Sequence, residues 1–173
     1  MSNKVSPIVV EIVRNALNSA AHEMNNSLAR SAFSPLIYEM KDCSVGIFDV
    51  DGQMLGQSAG LPIFLGNLDI CIKILNDTVG IESHREGDLY IMNDSYMQGT
   101  HVGDFTTVSP IFYQGELVGF TATRAAMLAN FLRKIRPYLQ NTGVMPKNTA
   151  FSYQNRPTAR SRRPCLLYTS RCV

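Results

Sequence analysis

Apolar residues in the first thirty positions recur every three or four: Val9, Val13, Ala16, Leu17, Ala20, Met24 and Leu28. That period predicts one long amphipathic helix from Pro7 to about Arg30, its apolar stripe turned into a core. Ser6 and Pro7 suit the N-cap and first helical position, because the proline ring already holds a helical φ. The period then shortens. Val45, Ile47 and Phe48 in "CSVGIFDVDGQMLGQ" predict a strand, and Asp51-Gly52 a hairpin turn. A Gly-rich bend, "SAGLPIFLGN", leads to a second helix around Leu68 to Thr78, and "EGDLYIMND" reads as a turn followed by a strand. "TTVSPIFYQGELVGFTATR" holds two β-rich runs joined by Gln114-Gly115, so Asn93 to Asp104 is a loop between strands. The expected fold is α+β: a long N-terminal helix, β-hairpins and one polar loop set between strands.

From Ala125 onward no period of 2 or 3.6 persists. A short basic helix can start there, but Pro137 breaks it, and the rest reads as an irregular tail. Charge divides the chain at the same place. Residues 1–124 hold all 14 acidic groups and only seven Lys or Arg, whereas the remaining 49 hold nine Lys or Arg and no carboxylate. The overall net charge of +2 therefore averages two unlike parts. A basic tail of this kind fits a nucleic-acid binder, because basic runs attract phosphates. At 173 residues and 45% hydrophobic, the chain has material for one domain. Its N-terminus is interrupted by Glu11, Arg14 and Glu23, with no signal-type apolar run, and no segment reaches 18 apolar residues. A soluble, cytoplasmic protein away from membranes is expected. Cys43 and Cys71 lie too far apart for a Cys-x-x-Cys pair and read as reduced core residues.

The polar loop "NDSYMQGTHVGD" carries the candidate chemistry. His101 and Asp104 stand three apart beside Gly99 and Gly103, which let the loop fold tightly. An imidazole and a carboxylate at that spacing can ligate one divalent ion, as in Zn, Mn and Fe sites. The competing reading is a histidine bonded to a turn and an aspartate capping a neighbouring element. Asp42, closing "YEMKD", is a further oxygen donor or else a strand-entry cap, and Asn93-Asp94 makes a good Asx turn. The sequence has neither a phosphate-cradling Gly-rich loop nor a nucleophile elbow, so ATP binding by this chain is not expected.

Taken together, "RSAFSPLIYEMKDCS", "GLPIFLGNL", "EGDLYIMND" and "NDSYMQGTHVGD" resemble the N-terminal part of the hydantoinase B/5-oxoprolinase family. The likeness runs almost without a break over residues 5–124. Two positions depart from the usual motif: Ser95 stands for a proline and Gln98 for a glycine, changes of loop stiffness rather than of ligands. The resemblance implies a divalent metal, Mn or Zn, held by His101, Asp104 and Asp42, with Asn93, Asp94 and Thr100 orienting the loop. It also implies a hetero-oligomer with a hydantoinase A-type partner, which binds ATP and phosphorylates the substrate carbonyl oxygen. The B-type chain then supplies the water that opens a hydantoin, N-methylhydantoin or 5-oxoproline type ring. Acetone and acetophenone carboxylases share the scaffold, so ketone carboxylation is the alternative activity, and a basic-tailed nucleic-acid binder the non-enzymatic one.

The family's second histidine belongs in an Arg-Ala-His motif, but this chain reads Arg124-Ala125-Ala126. The ligand is missing where the composition changes. Reverse translation in a neighbouring frame across Phe131 to Gln140 permits Lys-Asp-Pro, as the family carries shortly after that histidine. "CLLYTSRCV" can be encoded by a transposon-adapter end followed by its inverted copy. The expectation is a catalytic-domain fragment over residues 1–125 and an out-of-frame, disordered tail over 126–173, with no activity of its own.

Overall fold

A computed structural model describes residues 5–32, 34–58, 60, 62–94, 101, 104–126 and 166–169. The 3.6-residue pattern at the N-terminus forms α1 (Pro7–Ser31), with Ser6 as N-cap and Pro7 in the first turn. Short helix α2 (Pro35–Tyr38) leads into β1 (Cys43–Phe48) and β2 (Met54–Gln57). Helices α3 (Pro62–Leu65) and α4 (Leu68–Val79) follow, then a 3₁₀ turn at Ile81–Ser83 and β3 (Leu89–Met92). Strands β4 (Asp104–Tyr113) and β5 (Glu116–Ala126) form a long hairpin, and Leu166–Thr169 forms β6. Among the described residues no helix is long and apolar enough to cross a membrane.

The strands make one antiparallel sheet in the order β2-β1-β5-β4-β3-β6. Both expected hairpin turns are present. Gly52 (φ 81°) closes β1–β2, where the Asp49 carboxylate accepts the Asp51 and Gln53 backbone N–H groups at 3.0 and 2.7 Å. Gln114 and Gly115 both adopt positive φ (51° and 85°), the backbone of a two-residue type I′ turn whose twist suits the flanking strands. The sheet is covered on both faces, which is why all six residues of β1 are buried instead of alternating. One face packs Phe48, Val108, Phe120 and Ala122 against Leu68, Cys71, Ile72 and Leu75 of α4. The other sets Cys43 and Ala125 against Ile37 of α2, with Leu28 and Ala32 of the α1 end beside them.

One expectation needs correction. The apolar stripe of α1 is not core along its length: Val9 and Val13 are 47% and 50% exposed, and Ile8 and Ile12 more so. Contact with the sheet starts about halfway along, where the Leu17 backbone lies against Gly56 and the Gln57 N–H donates to Asn18 Oδ1 at 3.1 Å. From there Ala21 and Asn25 are buried, so only the second half follows the stripe inward. Within the expected tail, Leu166–Thr169 pairs antiparallel with β3 from Leu89↔Thr169 to Met92↔Leu166. Leu-Leu-Tyr-Thr is a composition that strands accept, and the open edge of β3 supplies the partner that sequence periodicity does not see. The rest of the expected out-of-frame tail beyond Ala126 lies outside the described residues.

Gly56 allows the close crossing of α1 over β2. A Cβ there would meet the Leu17 backbone at 3.0 Å. Gly56→Val is expected to push the helix off the strand and cost about 1–3 kcal/mol, read as a lower urea midpoint with an unchanged slope.

Candidate functional site

Three chain segments meet at one end of the sheet: the entry to β1, the entry to β4 and the exit of β5. Register places Asp104 opposite Ala126, Phe105 opposite Ala125, and Cys43 also opposite Ala125. The Ala126 N–H donates to the Asp42 carbonyl at 3.2 Å, tying the end of β5 to the residue before β1. Lys41 holds a left-handed φ of 53°, and the Cys43 N–H returns to its carbonyl at 2.7 Å. This tight turn, uncommon for a residue with a side chain, orients Asp42 at the sheet end.

His101 and Asp104 are tied together. The His101 backbone N–H donates to Asp104 Oδ2 at 3.2 Å, the Asp104 N–H donates to the His101 carbonyl at 3.3 Å, and His101 Nδ1 lies 3.5 Å from Oδ2. Asp104 is buried at 2% side-chain exposure, whereas the imidazole is 70% exposed. One partner is thus a fixed carboxylate and the other a ring facing solvent. Burial raises Asp42 above the usual carboxylate range, the Asp104 charge raises it further, and His101 opposes both. Two carboxylates and an imidazole therefore sense one another at this end. Among the described residues, though, no group of three His, Cys, Asp or Glu side chains is placed to hold a metal ion. Position 126, facing Asp104 across the hairpin, carries only a methyl group.

The residues expected to orient the loop are partly in view. β3 ends at Met92 opposite Thr106, so half-buried Asn93 and Asp94 leave the sheet where Asp104 enters it. Thr100 lies outside the described residues.

Sequence reasoning passed over Arg124. Its side chain is wholly buried two residues before the sheet end, on the α4 face. Nε donates to Thr106 Oγ1 at 2.8 Å, directly across the β4–β5 pairing, and Nη2 donates to Cys71 Sγ at 3.0 Å. Cys71 in turn donates its S–H to the Asn67 carbonyl at 3.3 Å. Burial raises that thiol against the pull of Arg124, so it stays protonated. The signal was available in the alternation of "GFTATRA", where Phe120, Ala122 and Arg124 share one face and the first two are plainly core.

The family profile described as hydantoinase B/oxoprolinase matches residues 6–128, and the chain belongs to that family. The caprolactamase beta subunit of Pseudomonas jessenii is 35% identical over 122 residues, 70% of this chain and 21% of that protein. The B subunit of a putative D-/L-hydantoinase from Pseudomonas sp. (strain NS671) is 33% identical over 125 residues, 70% and 21%. The solved structure of the ATP-dependent caprolactamase from Pseudomonas jessenii superposes with a TM-score of 0.63 at 31% identity, covering 72% of this chain and 21% of that one. Nucleotide-free acetone carboxylase gives 0.65 at 23% identity, covering 70% and 16%, a likeness of fold. The chain thus spans about a fifth of the length of these two curated relatives.

Arg124→Ala removes a buried side chain together with its bonds to Thr106 and Cys71. The expected loss is about 3–5 kcal/mol, measured by chemical denaturation, with Cys71→Ser affected far less because it keeps an acceptor.

Proposed function

We propose that this chain is part of the B-type component of a metal-dependent, ATP-coupled amidohydrolase. Its substrate is a small cyclic amide of the hydantoin, N-methylhydantoin or 5-oxoproline type, and the ATP is held by an A-type partner. The observation that supports the reading is the His101–Asp104 pair at the sheet end, with Asp42 within its electrostatic reach, in a chain of the hydantoinase B/oxoprolinase family. Two relatives are themselves named as single subunits of larger enzymes, which supports a hetero-oligomer.

The residues present fit a divalent ion as an incomplete donor set. The Asp104 charge disfavours a charge on Asp42, a repulsion that a nearby cation would relieve. Oxygen and imidazole donors together suit Mn or Zn. His101, exposed to solvent, would offer an imidazole nitrogen and the buried Asp104 a carboxylate oxygen, with Asp42 as a third donor. Asn93 and Asp94 would steady the loop that carries His101, as groups around metal ligands generally do, the role the resemblance also gives Thr100. A divalent ion bound there lowers the pKa of water towards roughly 7 and polarises a carbonyl.

Position 126 is the place to test the set. Ala126→His adds an imidazole opposite Asp104 and is expected to raise Mn or Zn affinity about tenfold or more, roughly 1.4 kcal/mol, by titration calorimetry. Asp104→Asn and His101→Ala are each expected to lower affinity in that background. Equal affinity in all four chains would sink the assignment. For activity, a chain of full family length carrying this segment is assayed with its A-type partner. ATP-dependent ring opening supports the amidohydrolase, and incorporation of labelled bicarbonate into a ketone supports the carboxylase instead.

A further inference from the structure

At the far end of α4 from Cys71, a buried polar chain links four side chains. His84 is 2% exposed, between the 3₁₀ turn and β3. Its Nε2 lies 2.9 Å from Asn76 Oδ1, and its Nδ1 lies 2.8 Å from the Tyr90 hydroxyl. Tyr90 is also within 3.1 Å of Asp88 Oδ2, which accepts the Arg85 backbone N–H at 2.8 Å. The His84 ring packs edge-on against Tyr90 and Phe120.

Donor and acceptor bookkeeping restricts what this chain can do. Asn76 is held in one orientation, because its Nδ2 donates to the Val50 carbonyl at 3.1 Å. Turning the amide would set two oxygens face to face. Asn76 Oδ1 is therefore an acceptor, and His84 must carry a proton on Nε2. Nδ1 then has two options. Without a proton it accepts from Tyr90 O–H. With one it donates to Tyr90, whose single hydroxyl proton then goes to Asp88. Each arrangement satisfies His84, Tyr90 and Asn76, and the two differ by one proton.

We propose that His84, Tyr90 and Asp88 form a two-position proton switch, in which the Tyr90 hydroxyl donates to His84 when the ring is neutral and reverses to Asp88 when the ring is charged. Among the described residues, the groups that bear on His84 are few. Asp88 and Arg85 come from its own turn, Tyr90 from β3, the neutral Asn76 from α4 and the uncharged Phe120 from β5. Lys73 and Asp77 of α4 and Glu82 of the 3₁₀ turn are exposed. Burial holds the imidazole below its ordinary 6.5, Asp88 opposes this and Arg85 adds to it. The unfolded ring thus takes up its proton first. The stability contributed by the neutral ring is complete above about pH 6.5 and declines as pH falls from there to the folded midpoint. Acid then leaves a charged ring bridged through Tyr90 to a carboxylate.

Imidazole ¹⁵N spectra of the 173-residue chain across a pH series test the switch, since only His22, His84 and His101 contribute. Expected is a His84 that carries its proton on Nε2 alone at about pH 8 and on both nitrogens below its midpoint. Tyr90→Phe removes the acceptor for Nδ1–H, and Asp88→Asn removes the carboxylate while keeping the acceptor for Arg85. Each is expected to lower the His84 midpoint by about half a pH unit or more and to leave those of His22 and His101 in place. A neutral wild-type His84 protonated on Nδ1 overturns the proposal without any variant. So does a His84 midpoint that neither variant moves.

Discussion

The pairing of β4 with β5 sets the parity on which everything else depends. From Asp104↔Ala126 to Ile111↔Gly119 it assigns every side chain on both strands to one face or the other. It places Thr106 beside Arg124 and Asp104 beside Ala126 on the α4 side, and Phe105 and Ala125 on the α1 side. β5 then passes that parity to β1 through Cys43↔Ala125 and Phe48↔Phe120. A slip of one residue would send Arg124 into the α1 side and Asp104 away from Asp42, because side chains alternate with a period of two. The type I′ turn at Gln114-Gly115 sets only the pairs beside it, because the register shifts by one residue between Ile111 and Phe112, where Val118 is left unpaired. Beyond that bulge the burial of Phe120, Ala122 and Arg124 holds the register.

Within that frame, α4 is held to the sheet by more than apolar contact. Leu68, Ile72 and Leu75 supply the burial, yet each end of the helix also carries a polar tie: Cys71 to Arg124 near the site, and Asn76 to His84 at the opposite end. Apolar packing alone tolerates small rotations of a helix over a sheet. Hydrogen bonds in a low-dielectric interior do not, because an unmade bond there costs about 1–3 kcal/mol. The two ties therefore fix the rotation and height of α4 over strands that lead directly into the site.

How far the sequence could be read varied with the range of the cause. Helix α1, the Asp51-Gly52 and Gln114-Gly115 turns, and the strands they join all followed from local period and turn chemistry. His101 and Asp104 were visible as a pair because they share one short loop. Their approach to Asp42 spans about sixty residues of sequence and shows only once β1 lies beside β5. The α1 stripe misled at Val9 and Val13 because periodicity reports which side of a helix is apolar, not whether anything lies against it. Arg124 escaped notice for the converse reason, since a charged residue type suggests a surface even where alternation points inward.

The central place of β5 has a consequence for the order of events in folding. The β4–β5 hairpin closes over a two-residue turn and can form within microseconds. The contact between β1 and β5 joins positions about eighty residues apart and must wait for a far larger loop to close. On a growing chain, β1 and β2 leave the ribosome as a hairpin whose inner edge has no neighbour until β5 has been made. During that interval "CSVGIF" is an open, largely apolar strand edge, the kind of surface on which two nascent chains stick together.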